Sequence, residues 1–510
     1  KPAHGLANVG SFSYQTWLNS QSISATGYVI KHKNNQILSN ANTSRQQLFL
    51  DYKHLLPAHK LAPLLLALSF GSRADLTPEL WQVLQATGTG HLIAISGLHI
   101  GLVATGCYFL IMLFIRLLPL SLLANSHHFQ TMNIRYLAIG LSMIAALSYG
   151  YLAGFSLPTI RALVMLSLYW CMRLLAVKVS IKRWLLLTLF VLTLTTPFSL
   201  FTASFWLSIY AVSIIFLTLW RFKNIISTGT QAWRFIKGLI IIQLSLTLLL
   251  LPISAIFFQQ VSLVALFANI FAVPWMSFIT IPLCLLSVLL MPISESLSQF
   301  FIMLCLESVQ LLWHYLTYLS SLPWAIITLS SANIQLLVLV GLLGVLFLFF
   351  QPKLNILKIG SNEKHKAILF GCSLVLVVGL LSMPWSSAIN LSTSEQENDK
   401  STNWKLVVFD VGQGLSILLQ KSDKAILYDT GAAYASGFTM VEAVVLPYLQ
   451  HAGIKQLDKV VISHSDNDHA GGLAVLQQSI VIKELIYNAS KSDSSINYSS
   501  INYSSINNSS

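Results

Sequence analysis

Long apolar runs separated by short polar segments dominate the middle of the chain. A helix that crosses a bilayer needs about 20 apolar residues. Ten runs come close to that length, near 92–115, 136–153, 157–172, 184–200, 203–220, 238–257, 262–290, 298–320, 332–350 and 367–385. The pattern therefore predicts a polytopic α-helical membrane protein with about 10 spans.

Polar sequence on both sides of these runs predicts soluble parts. The N-terminal part is rich in β-formers, which favours a small β-domain, and an amphipathic or interfacial helix is expected after it. The C-terminal part alternates strand and helix patterns and ends in a five-residue polar repeat, which is typical of low-complexity sequence. The predicted division is 1–55 (β-domain), 56–91 (connection), 92–385 (transmembrane domain), 386–403 (linker), 404–490 (α/β domain) and 491–510 (aberrant tail).

Composition supports the membrane assignment. The chain has 510 residues, of which 55% are hydrophobic and only 9% are charged, whereas soluble domains carry about 25% charged residues. The net charge is +12, and the basic residues collect in alternate loops, which indicates cytoplasmic loops. This arrangement predicts that both soluble ends face the periplasm or cell exterior. The five cysteines lie in apolar runs without a C-x-x-C pair, which favours neither a disulfide framework nor a metal site.

A glycine-rich stretch at residues 88–101 carries ionisable groups into the first long apolar run. It contains His91, Ser96, Gly97 and His99. Polar groups inside a membrane are costly, so they usually face a bundle interior or a wet cavity. Two interpretations stay open. The stretch is either a tight helix-packing segment with hydrogen-bonded histidines or part of a path for a polar substrate.

Further polar or helix-breaking residues occur in later apolar runs. Gly154 and Pro158 precede Arg161, which either binds phosphate bidentately or extends to the membrane interface. Asn269 precedes Pro274 in the overlong run 262–290, which indicates either a broken helix that lines a cavity or a proline-kinked span.

Four possible metal ligands follow a buried strand in the C-terminal part. His464, Asp466, Asp468 and His469 lie within six residues, just before a glycine turn. Histidine and carboxylate donors suit zinc, and carboxylates shift the preference towards harder ions such as manganese. An Asx-rich surface turn with incidental histidines is the alternative interpretation.

This segment resembles the metallo-β-lactamase signature His-x-His-x-Asp-His, with Asp466 at the second histidine position. The resemblance implies that His464 and Asp466 serve one metal ion while Asp468 and His469 serve another. It assigns catalytic roles to Asp468 and His464. It also implies that Asp410, Asp429 and Gly431 support the site, since Asp429 matches the strand-end aspartate of that fold.

The Ser-His-x-Asp-x-Asp-His and Asp-Val-Gly-Gln-Gly motifs together are similar to those of ComEC-type DNA-uptake channels. The segments 89–99, 154–161, 205–208 and 269–274 resemble the competence domain of that family, and segments 10–18 and 25–29 resemble its OB-like domain.

The resemblance implies a multi-pass inner-membrane channel that admits single-stranded DNA, with a zinc- or manganese-dependent hydrolase domain. It also implies certain partners: single-stranded DNA, duplex DNA before strand removal, membrane lipid, a periplasmic DNA receptor, a cytoplasmic ATPase or single-strand-binding proteins, and possible oligomerisation.

Two other functions remain as alternatives, a small-solute transporter with a fused hydrolase domain and an intramembrane enzyme that uses His91, Ser96 and His99. The later ligands of the metallo-β-lactamase fold are expected beyond about residue 490, where the repeat stands instead. The sequence therefore predicts a truncated domain that does not hydrolyse DNA.

Overall fold

The computed structural model describes residues 2, 5–11, 13–21, 23–27, 30, 35, 43–117, 134–329, 333–339, 341, 404–422, 424–434 and 437–487. The predicted run 367–385, the linker and the terminal repeat therefore lie outside the described residues. The chain forms two compact units. One comprises residues 1–28, 252–259 and 328–510, and the other comprises residues 29–251 and 260–327.

The described residues of the N-terminal region, for which a β-domain was predicted, include two helices. Helix α1 spans Tyr14–Ser20 and helix α2 spans Ser44–Leu55. The Ser13 hydroxyl caps α1 by accepting from the Thr16 N–H, and Thr43 caps α2 in the same way. Among the described residues of this region, the only β-pairing is an isolated bridge between Pro2 and Ala25. Local capping thus overrides the β-propensity of the aromatic residues in segment 14–20.

Three short helices connect this region to the membrane part. They are α3 (Ala62–Phe70), α4 (Pro78–Ala86) and α5 (Gly90–Ile93). Helix α3 does not have the amphipathic pattern that was one of the two predicted alternatives, because its residues are apolar on every side and nearly all are buried. With nine residues it is also too short to span a bilayer. A helix that is hydrophobic all round belongs in a core.

Helices occupy eight of the ten predicted spans. They are α6 (Gly97–Leu117), α7 (Ile134–Leu152), α8 (Leu157–Leu174), α9 (Ile181–Thr195), α10 (Ala203–Arg221), a short α11 (Lys223–Ile226), α12 (Gln231–Phe258), α13 (Ala265–Trp275) with α14 (Ile281–Leu290), and α15 (Glu295–Ser320). A 3₁₀ turn at Pro197–Phe201 precedes α10. Residues 333–339 are helical where the ninth run begins. Within the described residues, five helices are long and apolar enough to cross a membrane: 97–117, 203–221, 231–258, 265–290 and 295–320.

The run with two prolines is bulged and not broken. Helix α13 contains Pro274 and continues through a π-helical turn at Met276–Thr280 into α14, whose first turn contains Pro282. A proline has no N–H to donate and crowds the preceding turn, so a wider turn between the two prolines keeps the helix continuous. Of the two interpretations, the structure therefore favours the kinked span.

Some of the polar side chains buried between these helices are hydrogen-bonded to a neighbouring helix. Tyr52 Oη and Ser287 Oγ are 2.7 Å apart, and Ser298 Oγ donates to the Ser287 carbonyl at 2.8 Å. Cys284 and Cys305 are buried, unbridged thiols, as the sequence predicted for packing cysteines. Such interhelical hydrogen bonds hold particular helices together in a membrane, because the hydrophobic effect does little to drive helix association in lipid. A two-stranded sheet of β1 (Gln260–Ser262) and β2 (Ile326–Thr328) completes this part.

The C-terminal region is the predicted α/β domain. Its sheet has the order β3 (Lys405–Val408), β4 (Ile417–Lys421), β5 (Lys424–Tyr428), β6 (Gln456–Ile462) and β7 (Val481–Tyr487). The β3–β4 and β4–β5 pairs are antiparallel, while β6 is parallel to both β5 and β7. The carboxyl ends of β3, β5, β6 and β7 therefore meet at one edge.

One face of this sheet forms the core of the domain. The row Val407, Leu418, Leu427, Val460 and Leu485 follows the strand register across all five strands, and its members contribute to one hydrophobic cluster. The same cluster includes residues of a π-helical turn (Val441–Val445) and of α16 (Leu446–His451). A short α17 (Asn467–Ala470) follows β6, and the next helix, α18 (Leu473–Ser479), also contributes to the cluster. This burial fixes the strand ends that carry the polar loops.

Candidate functional sites

Three loops converge at the carboxyl edge of the sheet. The loop after β3 contains Asp410, the loop after β5 begins at Asp429, and the loop after β6 begins at Ser463. They are hydrogen-bonded to one another: the Thr430 N–H donates to the His469 carbonyl at 2.7 Å, and the Gly431 N–H donates to the Leu415 carbonyl at 3.0 Å. This edge therefore gathers the residues that the metal motif singled out.

The loop after β6 brings three of the four predicted ligands together. His464, Asp468 and His469 each offer one ligand atom, and these atoms lie within 4.8 Å of one another. The rings of His464 and His469 have centroids 4.0 Å apart. Helix α17 positions Asp468 and His469, because its first turn begins one residue before Asp468.

Asp466, the fourth predicted ligand, lies outside this group of three. Its side chain is 73% exposed, and its Oδ2 is 3.4 Å from His464 Nε2. Its main-chain carbonyl accepts the N–H groups of His469 and Ala470 and so starts α17. The structure thus gives Asp466 a local backbone role and places its carboxylate beside one histidine.

A buried carboxylate orients the histidines. Asp429 is fully buried, and its backbone φ is +56°. Its Oδ2 lies 2.8 Å from His469 Nδ1, and its Oδ1 accepts the Ser463 N–H at 2.7 Å. A carboxylate only accepts hydrogen bonds, so the His469 proton belongs on Nδ1 and Nε2 is left free to bind a metal.

Ser463 extends this arrangement to the second histidine, a role that the sequence analysis missed. Its hydroxyl is 2.8 Å from Asp429 Oδ2 and 2.9 Å from His464 Nδ1. The hydroxyl must donate to the carboxylate, so it accepts from the His464 Nδ1–H. Both imidazoles then present an unprotonated Nε2. The only sequence signal was a hydroxyl residue at a strand end directly before the first histidine.

The supporting residues predicted around the site have distinct places. The Asp410 carboxylate accepts the Ala7 N–H at 2.9 Å and the Gly412 N–H at 3.4 Å, and it is not one of the three grouped ligands. Gly431 lies in the loop after β5 with a φ of +70°. Asp410 therefore acts on its own loop and on the N-terminal segment.

The donor set fits a divalent cation. Two neutral imidazoles and one carboxylate match the three-ligand catalytic zinc sites of proteins, which keep a position open for water. Manganese accepts the same donors and favours carboxylate oxygen more strongly. The tautomers fixed by Asp429 and Ser463 leave on each histidine the nitrogen that a metal requires.

The glycine-rich stretch of the membrane part divides into two helices. His91 lies on the short α5, exposed, with its Nδ1 3.0 Å from the Gly88 carbonyl. His99 lies on α6 and is fully buried, and its Nδ1 accepts the Ser96 N–H at 3.3 Å. Among the residues that the structure describes, no partner reaches His99 Nε2. Gly97 packs α6 closely against Ala162 of α8.

Arg161 and Asn269 are buried with open hydrogen-bonding groups. Arg161 is 2% exposed and donates from one terminal nitrogen to the Ser204 carbonyl at 3.0 Å. In the described part of the chain, its Nε and other terminal nitrogen have no partner, and neither does Asn269 Oδ1. Pro158 lies in the first turn of α8, three residues before Arg161. Unpaired donors on a buried cation are costly.

Arg45 is a second residue that the sequence analysis missed. Its Nε donates to the carbonyl of Leu152 and its Nη2 to that of Phe70, both at 2.8 Å. These are the last residues of α7 and α3, where helix carbonyls lack partners and the dipole attracts cations. Gly154, with a φ of +65°, lies against the same guanidinium, which a Cβ there would approach to 2.9 Å. An arginine just after a Thr-Ser helix start was the only available signal.

Comparison with known proteins agrees with this architecture. The family model described as "Competence protein" matches residues 68–354, which is more than half of the chain, and the metallo-β-lactamase superfamily model matches residues 409–494. The fold and the site thus define a membrane protein with a metallo-β-lactamase-type domain. The chain belongs to the competence protein family.

Three curated relatives extend the match along the chain. Recombination protein 2 of Haemophilus influenzae is 30% identical over 95% of this chain and 60% of its own length. Competence protein ComA of Neisseria gonorrhoeae is 28% identical over 80% of this chain and 51% of its own. ComE operon protein 3 of Bacillus subtilis is 26% identical over 94% and 58%. The chain therefore spans between half and three fifths of the length of these relatives. No solved structure gives a significant match.

Proposed function

We propose that this chain forms a membrane channel that admits single-stranded DNA during natural transformation. The observation that carries the proposal is the buried Arg161 guanidinium, whose open N–H groups lie inside the region matched by the competence model. A guanidinium offers donors that match phosphate oxygens. A phosphodiester backbone supplies one such anion per nucleotide, so Arg161 is suited to receive it.

His99, Asn269 and the small residues Ser96 and Gly97 line the same proposed DNA path. His99 Nε2 and Asn269 Oδ1 are buried, and no partner reaches them in the described part of the chain. Gly154 and Pro158 shape the turn that leads into α8. The exposed His91, on α5 before the first long helix, stands at the start of this path.

We further propose that the α/β domain is a metal-binding domain of the hydrolase or nuclease type. His464, Asp468 and His469 would hold a zinc or manganese ion, with Asp466 as a further donor. Such an ion lowers the pKa of a bound water and so supplies a nucleophile at neutral pH. Asp429 and Ser463 hold the two imidazoles in the tautomers that leave Nε2 unprotonated, and Gly431 and Asp410 hold the neighbouring loops.

The location and partners follow from the same proposal. The alternate basic loops favour an inner-membrane protein with both soluble parts on the outer side, where the metal domain would meet duplex DNA before one strand enters. A periplasmic DNA receptor, a cytoplasmic ATPase or single-strand-binding proteins, and a second copy of the chain are the proposed protein partners. An OB-like N-terminal part that holds a strand stays a proposal as well.

DNA import by cells tests the channel. Competence-deficient cells that carry this chain receive fluorescent duplex DNA, and nuclease-protected cytoplasmic label is counted. Arg161→Gln should lower import by about tenfold or more, because a charged hydrogen bond contributes about 1.5–3 kcal/mol. Arg173→Gln is the matched control, since Arg173 lies exposed on the same helix. Equal import by the two variants, or no import above empty-vector cells despite full membrane expression, contradicts the proposal.

Calorimetric titration with Zn²⁺ and Mn²⁺ tests the metal site on the detergent-solubilised chain. His464→Ala, Asp468→Ala and His469→Ala should each abolish or strongly weaken binding. His54→Ala serves as the control, because His54 lies exposed on α2, outside the ligand group. Binding that survives all three ligand substitutions would place the metal elsewhere.

A further inference from the structure

The segment Leu6–Ser11, called here the N-terminal strap, is hydrogen-bonded to the first loop of the metal domain. The Asn8 side chain pairs with both backbone groups of Asp410: Oδ1 accepts the Asp410 N–H and Nδ2 donates to the Asp410 carbonyl, each at 2.8 Å. The Ala7 N–H donates to Asp410 Oδ2 at 2.9 Å. Three hydrogen bonds thus join residues about 400 positions apart in one compact unit.

Apolar and close backbone contacts reinforce the strap. Leu6 packs against the hydrophobic cluster of the metal domain and lies near Gly412. Gly10 has a φ of +78°, and a Cβ there would lie 3.0 Å from His451 Cβ, so the strap backbone lies directly on α16. The strap therefore fits a specific surface through both polar and apolar contacts.

The other side of the same loop touches the metal group. The Leu415 N–H donates to the Asp468 carbonyl at 3.3 Å. Gly414 has a φ of +133°, and any side chain there would collide with that carbonyl oxygen. The loop 410–415 therefore lies between the strap and Asp468, and it touches the main chain of the residue that offers the carboxylate ligand.

We propose that the strap is an intrachain docking element that holds loop 410–415 in place and thereby positions Asp468 within the ligand group. Asp410 is then the attachment point of the N-terminal segment, and Asn8 is its counterpart. The docking itself depends only on the contacts above, whereas its effect on metal affinity rests on the proposed metal site.

Hydrogen–deuterium exchange of the full chain in detergent tests the docking. Asn8→Ala removes both hydrogen bonds to the Asp410 backbone. Exchange of the amides of residues 409–416 should accelerate by about tenfold, because loop 410–415 loses two hydrogen bonds to the strap. Asn19→Ala is the matched control, since Asn19 is exposed on α1, and it should leave these amides unchanged.

A second variant tests the same contact by changing Asp410 in place of Asn8. Asp410→Ala removes the carboxylate that accepts the Ala7 N–H and should accelerate exchange of that amide. Asn8→Ala should also weaken Zn²⁺ binding by about threefold to tenfold, less than the 10–100-fold typical of a residue that contacts a ligand directly. Asn19→Ala should not change the affinity.

The outcomes separate the two proposals. Unchanged exchange of residues 409–416 in Asn8→Ala overturns the docking, whatever the metal does. Accelerated exchange with unchanged Zn²⁺ affinity overturns the positioning of Asp468 and leaves the docking supported. A wild-type chain that does not bind Zn²⁺ or Mn²⁺ overturns the metal site, while the exchange data still decide whether the strap docks.

Discussion

His469 Nδ1 lies 2.8 Å from Oδ2 of Asp429, a carboxylate with no exposure to solvent. The same carboxylate accepts the backbone N–H and the hydroxyl of Ser463. One buried anion therefore determines the orientation of the loop that carries the metal motif. A buried charge is tolerated when hydrogen bonds satisfy it, and three such contacts do so here.

Replacing Asp429 should destabilise the domain as well as the site. Asp429→Ala leaves the Ser463 N–H without its acceptor and places alanine at a φ of +56°, so a loss of about 3 kcal/mol is expected. Asp429→Asn tolerates this backbone conformation better and should cost less. Native-state hydrogen exchange of the β6 amides in the full chain measures both. Asp466→Asn is the control, because Asp466 is exposed. Equal destabilisation by Asp466→Asn and Asp429→Ala would contradict the stabilising role of Asp429.

Ser463→Ala should weaken metal binding without unfolding the domain. The variant removes the hydroxyl that links His464 to Asp429, so the His464 ring loses its fixed tautomer. We expect Zn²⁺ affinity to fall by about tenfold, the lower end for an outer-shell residue. Ser463→Thr keeps the hydroxyl and should restore most of the affinity. Calorimetric titration measures the Zn²⁺ affinity of both variants. Wild-type affinity in Ser463→Ala would show that Ser463 does not support the metal site.

The Asp458–Lys483 pair should make the domain sensitive to acid. The hydrogen bond from Lys483 Nζ, 2.7 Å away, and then the Ala425 N–H hold the pKa of Asp458 below its ordinary value. A depressed folded-state pKa contributes stability above the unfolded pKa of about 3.9, and this contribution disappears as the pH falls through the folded pKa.

Scanning calorimetry of the full chain between pH 3 and 6 checks this sign. Asp458→Asn should lower the melting temperature of the C-terminal transition near pH 6 and reduce its further fall below about pH 4. If the melting temperature of Asp458→Asn depends on pH in the same way as that of the wild type, the Asp458–Lys483 pair does not contribute to the acid sensitivity of the domain.

Gly154→Ala should destabilise the membrane part. A non-glycine residue at a φ of +65° costs about 1–2 kcal/mol, and the new Cβ would press on the Arg45 guanidinium. Gly140→Ala is the control, because Gly140 lies in α7 and a methyl group added there would meet no described residue within 4 Å outside its own helix backbone. Thermal stability in detergent measures the difference. Equal melting temperatures of the two variants would show that the backbone conformation of Gly154 and its contact with Arg45 do not contribute to stability.

Local patterns predicted the elements that depend on short stretches of sequence. The buried apolar strand around 459–463 and the ligand spacing after it sufficed for β6 and for the grouping of His464 with Asp468 and His469. The apolar runs located eight helices, whose ends differ from the predicted ends by up to seven residues. These features follow from periodicity and from ligand chemistry, which sequence displays directly.

Contacts between distant segments could not be predicted in the same way. Asn8 and Asp410 are 402 residues apart, and no local pattern links them. The N-terminal helix α1 was missed because Tyr14 and Trp17 have β-propensity. The signal that indicated a helix was the N-terminal cap by Ser13. Arg45 was missed because its carbonyl partners lie on two other helices.

The separation between Asn8 and Asp410 also sets an order of events during synthesis. A ribosome adds about 5–20 residues per second, so the partner of Asn8 emerges about 20–80 s after Asn8 itself. Throughout that interval Leu6 lacks its apolar surface and the strap has nothing to bind. The first loop of the metal domain can therefore bind the strap only after the membrane helices between them have been made.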